Sequence, residues 1–572
     1  MEYAKLVDVY EYLEKTSSRL KKTEAISNLL KETGADDLER VVLLLQGKVY
    51  PSWDEKEIGI ATQLMIKIIS SATGFSESKI LEEFKEKGDL GLVAEKLVSS
   101  RKQMILFKKR LTVEKVFENL RKIAEVEGKG AQTRKANLVS ELLVSAEPKE
   151  AKYIVRTILE DLRVGVAEGI VRDAIAEAFF PTSDTEKKKE AIKIIEWAWF
   201  LLSDYGEVAK IAKTQGLDGL KNVKLQIGKP VHVLLAEKAP SLKDALEAFE
   251  RPAIEVKFDG ARAQIHKKGD KIYIFTRRLE NITKQFPDVI EYVRKSVLVD
   301  ECVIEGEIVA INTETGRPMP FQILSQRIHR KYDIDKMVKE IPVQVNLFDI
   351  IYLNGKMLFD DILEERRKKL ESAIKTLPGK FQLTEQLRTK DLKKAEEFYR
   401  KALEDGQEGV MVKNLDAIYQ PGRRVAGGWL KVKPIMESLD LVIIGATWGT
   451  GKRAGFLSSF VLACREPETG DFLECGMLGT GIKEKSDEGV TLSQLTELLK
   501  PHIVSEKGNE VRIRPKIVVE VAYEEIQKSP NYSSGYALRF PRIVRIRFDK
   551  SPEEADDISR IETLYRQQRG KK

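Results

Sequence analysis

"EVKFDGARAQIH" (residues 255–266) decides how the middle of this chain folds. Its first half alternates as an extended strand does. Ile254, Val256 and Phe258 take one face, while Glu255, Lys257 and Asp259 take the other. At Gly260 the register breaks, and Arg262, Gln264 and His266 become the polar set. A glycine there predicts a close turn of the backbone that a side chain would obstruct. Alone, a Lys-x-Asp-Gly string reads as an ordinary surface ladder. Its neighbours in the sequence decide otherwise.

Working outward, several strand-like segments set charge beside apolar alternation. "TRRLENITKQFPD" (276–288) offers arginines after a strand, and "CVIEGEIVAIN" (302–312) puts Glu305 and Glu307 on one face. "VNLFDIIYLNG" (345–355) carries Phe348 and Asp349 in an otherwise apolar strand. "EGVMVKNLD" (408–416) begins with Glu408, and "GWLKVKP" (428–434) aligns Lys431 with Lys433. "RFPRIVRIRFD" (539–549) is strongly cationic. Each fragment has a bland reading as a strand edge. Together they supply cations for phosphates, acids for magnesium and an aromatic for a base, the inventory of a nucleoside triphosphate site.

The chain of 572 residues exceeds one hydrophobic core. Its 33% charged fraction stands above the roughly 25% of an average soluble domain. Abundant Lys and Glu suit surface ion-pair networks of the hyperthermophile kind, or simply a solvated helical surface. A net charge of +7 permits a polyanionic partner without demanding one. Three cysteines without a Cys-x-x-Cys pair exclude a zinc ribbon, and four scattered histidines speak against a histidine metal site. No leader and no apolar run near about 18 residues is seen, so a soluble, cytoplasmic, nucleoid-associated protein without a membrane partner is expected.

Residues 1–217 read as helix, with "IGIATQLMIKIISSAT" and "KYIVRTILEDL" as examples of three-and-four spacing. A mixed α+β region follows over 218–435. Short strands and glycine turns over 436–572 predict a small barrel, closed by the charged helical tail "SPEEADDISRIETLYRQQRGKK". "GATWGTGKRAG" mimics a phosphate loop, but its spacing is one residue too long and Arg453 stands where Ser or Thr would hold magnesium. "GMLGTG" opens no helix. Both are expected to be barrel turns.

In order, "KFDGAR", "TRRLEN", "IEGEIVA", "LFDIIYLNG", "EGVMVK", "WLKVK" and "RFPRIVRIRFD" resemble the nucleotidyltransferase motifs of ATP-dependent DNA ligases, archaeal and eukaryotic replicative type. The likeness spans nearly the whole chain, because residues 1–217 resemble that family's helical DNA-binding domain. It implies an adenylation domain over 218–435 and an OB-fold domain with a C-terminal helix over 436–572. It further implies that Lys257 attacks the α-phosphate of ATP, with Mg2+ (or Mn2+) as cofactor, and that AMP passes to the 5′-phosphate of a nick. An amine titrates normally near pH 10.4, so a cationic field from Lys431, Lys433, Arg262 and magnesium is expected around it.

By the same resemblance, Arg262 and Arg277 hold sugar and phosphate, Glu307 and Glu408 contact ribose or metal, Phe348 stacks on adenine, and Glu255 reads its amino group. Arg539 and Arg542 orient the leaving pyrophosphate as the barrel swings, with "MESLD" (436–440) as hinge. "PGRRVAGG" (421–428) is one residue longer than the family pattern, leaving Arg423 or Arg424 near ATP; Arg424 is favoured.

Sealing arbitrary nicks requires contacts to phosphates and the minor groove. "EGKGAQTRKAN" (127–137) and "DLRVGVAEG" (161–169) supply glycines with Lys129, Arg134, Lys135 and Arg163, although helix-connecting turns with solvated charges would look the same. In "RKQMILFKKR" (101–110), Gln103, Leu106 and Phe107 resemble a degenerate sliding-clamp peptide or are core residues. A monomer is expected. The competing readings are an RNA ligase or capping guanylyltransferase, and a DNA-binding scaffold with a dead transferase core. The helical region argues against the first, the intact Lys257, Glu307, Lys431 and Lys433 against the second. A NAD-dependent ligase would need a zinc module that three cysteines cannot build.

Overall fold

The computed structural model of the chain describes residues 1–100, 110–330, 332–422, 428–434, 437–449, 453, 455–483 and 489–568. Gln103, Leu106, Phe107 and Arg424 lie outside the described residues, as does Met436 of the expected hinge. The chain forms two compact units. One comprises Met1–Glu237, Gly260–Thr384 and Asn414–Trp429, the other Lys238–Asp259, Glu385–Lys413 and Leu430–Lys572.

The first unit opens with helices from Tyr3–Lys15 to Tyr205–Lys221. Their ends are set by local chemistry. Ser18, Ser76, Asp89, Thr112 and Asp184 each accept a backbone N–H at a helix start, and Gly74 and Gly88 close helices in the left-handed region. The helix expected from Ile58 begins at Thr62. Gly59, at φ +61, keeps the preceding residues out of it. Gly216 breaks the last helix with φ 67, where the helical pattern ends in the sequence. Among the described residues no helix is long and apolar enough to cross a membrane.

The strands of the mixed region are β1 (Glu237–Lys238), β2 (Pro252–Lys257), β3 (Ala261–Lys268), β4 (Lys271–Thr276), β5 (Glu301–Ala310) and β6 (Val343–Leu353). They continue with β7 (Lys356–Met357), β8 (Phe381–Leu383), β9 (Gln386–Arg388), β10 (Gly409–Asn414) and β11 (Trp429–Val432). In the first unit the order is β4-β3-β5-β6-β7, with β8 beside β6. Ala263, Ile265, Ile304, Ile308, Val345 and Leu347 build its core with Phe286 and Val293. The second unit holds a sheet of order β1-β11-β10-β2-β9. Helices Leu242–Glu247 and Leu392–Glu404 bury Leu246 and Phe398 on its Ile254, Val410, Val412 and Val432.

A seven-stranded sheet follows, from Leu439–Trp448 to Arg542–Ile546, with the hairpin Glu525–Lys528/Tyr536–Arg539 and the tail helix Ile558–Gln567. "GMLGTG" (476–481), expected as a turn, begins inside the strand Phe472–Leu478 and leaves it without opening a helix. The architecture is thus a helical N-terminal region, a central α+β region and a strand-rich, OB-like C-terminal region.

The register break at Gly260 is where the chain leaves one sheet for another: β2 belongs to the second unit and β3 to the first. A side chain at Gly260 would indeed be obstructed, and by β5. Gly260 is not among the positive-φ glycines. A Cβ there would stand 2.4 Å from the Ile308 carbonyl oxygen and 2.9 Å from Glu307 Cγ. Close approach to β5, rather than a positive φ, demands the glycine where the chain bends at 259–260.

Candidate active site

In the second unit, β11, β10 and β2 lie side by side, which groups the residues at their ends. Lys257 closes β2, Glu408 precedes β10, and Lys433 follows β11. The Nζ atoms of Lys257 and Lys433 each stand 2.7 Å from the same Glu408 oxygen, Oε2. The Glu408 N–H donates to the Lys257 carbonyl at 3.0 Å. Gly409 makes this possible: at φ +141 its missing Cβ would fall 2.2 Å from the Val432 carbonyl. Burial alone would raise the Glu408 carboxyl; the two lysines more than offset it and hold it well below the usual range.

Of the cations expected around Lys257, Lys433 shares its carboxylate oxygen, and the two ammonium groups with Glu408 leave one positive charge over. Lys431 sits two residues before Lys433, partly buried on β11. Inside β2, the Glu255 carboxylate takes Lys413 at 2.5 Å and Gln386 Nε2 at 2.8 Å. A cavity of about 330 Å³ is lined by Glu408, Lys433, Glu524 and Arg539 among others. Lys433 reaches Glu524 at 3.5 Å, and Arg539 reaches Glu525 at 3.4 Å. Arg542 is exposed at the start of its strand, Arg542–Ile546.

In the first unit, antiparallel register sets Arg262 opposite Glu307 and Gln264 opposite Glu305. The Arg262 guanidinium donates to Glu305 Oε2 at 2.8 Å and to the Leu234 carbonyl at 2.6 Å. It also lies 5.4 Å over the Phe348 ring and 5.1 Å over Trp429, which meets Phe348 edge-on at 5.7 Å. Glu305, which the sequence places on one face with Glu307, is fully buried beneath this cluster, whereas Glu307 is partly exposed. Arg277 is exposed just beyond β4.

Residues 233–433 match the family described as ATP dependent DNA ligase domain, residues 2–176 the DNA ligase N terminus, and residues 453–550 the ATP dependent DNA ligase C terminal region. The DNA ligase of Nanoarchaeum equitans is 51% identical over 573 residues, covering 100% of this chain and 99% of that protein. The chain belongs to the ATP-dependent DNA ligases. The DNA ligase of Thermococcus onnurineus is 47% identical over 566 residues, covering 99% of this chain and 98% of that protein. The solved structure named Pmar-Lig_PreS3, 19% identical, covers 95% of this chain and 99% of its own at a TM-score of 0.54, and so shares the fold.

The basic residues expected to meet DNA stand in two states in the ligase. Lys129 is exposed. Arg134 donates to the carbonyls of Lys129 and Glu127, and Lys135 to that of Ile58 at 2.9 Å. Arg163, in the left-handed region at φ 59, pairs with Asp161 at 2.5 Å and Asp89 at 3.1 Å. Sequence reading missed Tyr419, Trp429 and Arg366 as parts of the ligase's buried polar framework. Only Trp429, beside "LKVK", carried a local signal.

Proposed function

We propose that this ATP-dependent DNA ligase seals nicks in duplex DNA through a lysyl-AMP intermediate on Lys257, serving replication, repair and recombination. The sharing of one Glu408 oxygen by Lys257 and Lys433 carries the reading, because it sets a nucleophilic amine and a phosphate-binding cation on one anchor. Lys257 Nζ attacks the α-phosphorus, an N–P bond forms, the bond to the pyrophosphate oxygen breaks, and the amine releases its proton. A 5′-phosphate oxygen at the nick then displaces lysine, and the 3′-hydroxyl displaces AMP. Such transfers depend mainly on positioning and charge neutralisation.

Arg262, Arg277 and Arg424 are assigned to sugar and phosphates, Phe348 to the adenine face and Glu255 to its edge. Lys431 and Lys433 receive the phosphates, and Arg539 with Arg542 the departing pyrophosphate. Among the described residues no group of three or more His, Cys, Asp or Glu could hold a metal alone. Magnesium in phosphoryl-transfer sites takes one or two carboxylates and completes its shell with phosphates and water, so a single partly exposed carboxylate fits it. Glu307 and Glu408 are the carboxylates assigned; the ion would neutralise phosphate charge. Lys129, Arg134, Lys135 and Arg163 are assigned to DNA, and "RKQMILFKKR" to a sliding clamp. The working form is a cytoplasmic, nucleoid-associated monomer.

Incubation with α-labelled ATP and magnesium, without DNA, tests the chemistry. Acid-labile label on the wild-type protein, absent from Lys257→Ala, is expected, followed by sealing of a nicked duplex. Label surviving the substitution would end this assignment.

A further inference from the structure

Tyr419 is 1% exposed and lies outside regular structure, after β10. Its hydroxyl donates to Glu305 Oε2 at 2.9 Å and accepts the Leu234 N–H at 3.1 Å. Glu305 also receives Arg262, which in turn donates to the Leu234 carbonyl. Tyr419, Glu305, Arg262 and Leu234 therefore close a ring of hydrogen bonds.

A second buried pair stands against the first. Glu305 faces Asp349 across β5 and β6, both at zero exposure. Two carboxylates so placed destabilise each other unless each has its own cation. Arg262 serves Glu305, and Arg366 serves Asp349 through bonds of 2.8 and 3.0 Å. The Arg366 guanidinium lies 5.5 Å over the Tyr419 ring. Tyr419 thus touches both halves, its hydroxyl on one carboxylate and its face on the other's arginine. The first half sets Arg262 over Phe348, and the second pins the residue next to Phe348 in β6.

We propose that Tyr419 is a positioning residue for ATP binding, acting through Glu305 to fix the Arg262 guanidinium against Phe348. The proposal rests on the assignment of Arg262 and Phe348 to the nucleotide. Phenylalanine would fill the same space but leave Glu305 one donor short and the Leu234 N–H without its acceptor. Arg262 would then occupy more than one orientation, and ATP would have to order it on binding.

The test measures adenylate formation by the full chain against ATP concentration, together with affinity for a nicked duplex and thermal unfolding. Tyr419→Phe is expected to raise KM for ATP by about tenfold, with kcat and DNA affinity within about twofold of the parent. A parental KM overturns the proposal. So does a joint decline of KM, kcat and DNA affinity, which marks general loosening. Should Tyr419→Phe not fold, Glu305→Gln, which keeps the shape but weakens the grip on Arg262, is judged by the same criteria. Arg262→Ala separates the two levels. A parental KM there defeats the nucleotide assignment itself, whereas a raised KM beside a parental Tyr419→Phe defeats only the positioning role.

Discussion

Lys257 and Lys433 are each about one-fifth exposed, at 21% and 23%, and share one carboxylate; Arg366 and Asp349 are both at 0% and bond bidentately. The first cluster sits at the ends of three strands, where its side chains stay partly open to solvent. The second lies within a sheet and against helix Leu363–Ala373, where no exchange is open to it. The difference separates charges left open to solvent from charges that hold a shape. Open clusters are cheap to rearrange, while a buried pair resists removal of either partner more strongly than its net stabilisation implies.

Lys257→Arg draws this distinction most sharply and should have the largest effect. Arginine keeps the positive charge beside Glu408 but cannot serve as the amine nucleophile. Adenylate formation should fall by at least about 10⁴-fold, while the melting temperature moves by no more than about 2 °C. Substantial labelled adenylate on the arginine variant would make Lys257 an ion-pair partner only.

Arg366→Ala probes the other side. It strands Asp349 in the core opposite Glu305, and breaking a buried pair in this way costs about 3–5 kcal/mol. Chemical denaturation should show that loss, whereas removal of an exposed pair such as Lys56–Glu125 should leave the unfolding midpoint nearly unchanged. Equal effects would remove the contrast between the two kinds of charge.

Legibility in the sequence follows the same divide. Lys257, Glu408 and Lys433 stood out because each falls within a short alternating window whose pattern is set by the strand itself. The helical region, the mixed region and the barrel were legible from their periodicities. Tyr419 reaches Glu305 across 114 residues of sequence, and no local pattern encodes that contact. Arg366 and Arg367 lie in the charged helical run "EERRKKLESAI", yet their exposures are 0% and 5%. The assumption that charge marks surface fails wherever a buried carboxylate waits on a neighbouring element.

Acid supplies a smaller, graded test within the first unit. Burial depresses His232 to about 4 and His266 to about 3. Between about 6.5 and those values the unfolded chain binds protons that the folded chain refuses. Their contribution is therefore complete above pH 6.5 and declines as pH falls, by about 1.4 kcal/mol per unit for each residue. Buried Asp204, raised to about 6, opposes this because its folded form takes the proton first. The comparison is accordingly between the parent and His232→Gln. The variant's unfolding midpoint should drop less than the parent's from pH 7 to 5, and parallel curves would refute the assignment.

Gly260→Ala returns to the point where the chain passes from β2 to β3. If the glycine were present for backbone freedom, alanine would be accepted, since Gly260 has no positive φ. The close carbonyl of Ile308, 2.4 Å from the Cβ position, predicts the opposite. β3 must shift away from β5, at a cost of about 1–3 kcal/mol. That shift acts on the Arg262–Glu307 register. KM for ATP should therefore rise more than kcat for adenylation falls. A variant with parental stability and parental KM would show that β3 has room to spare against β5, and close packing of the two would no longer explain why glycine stands there.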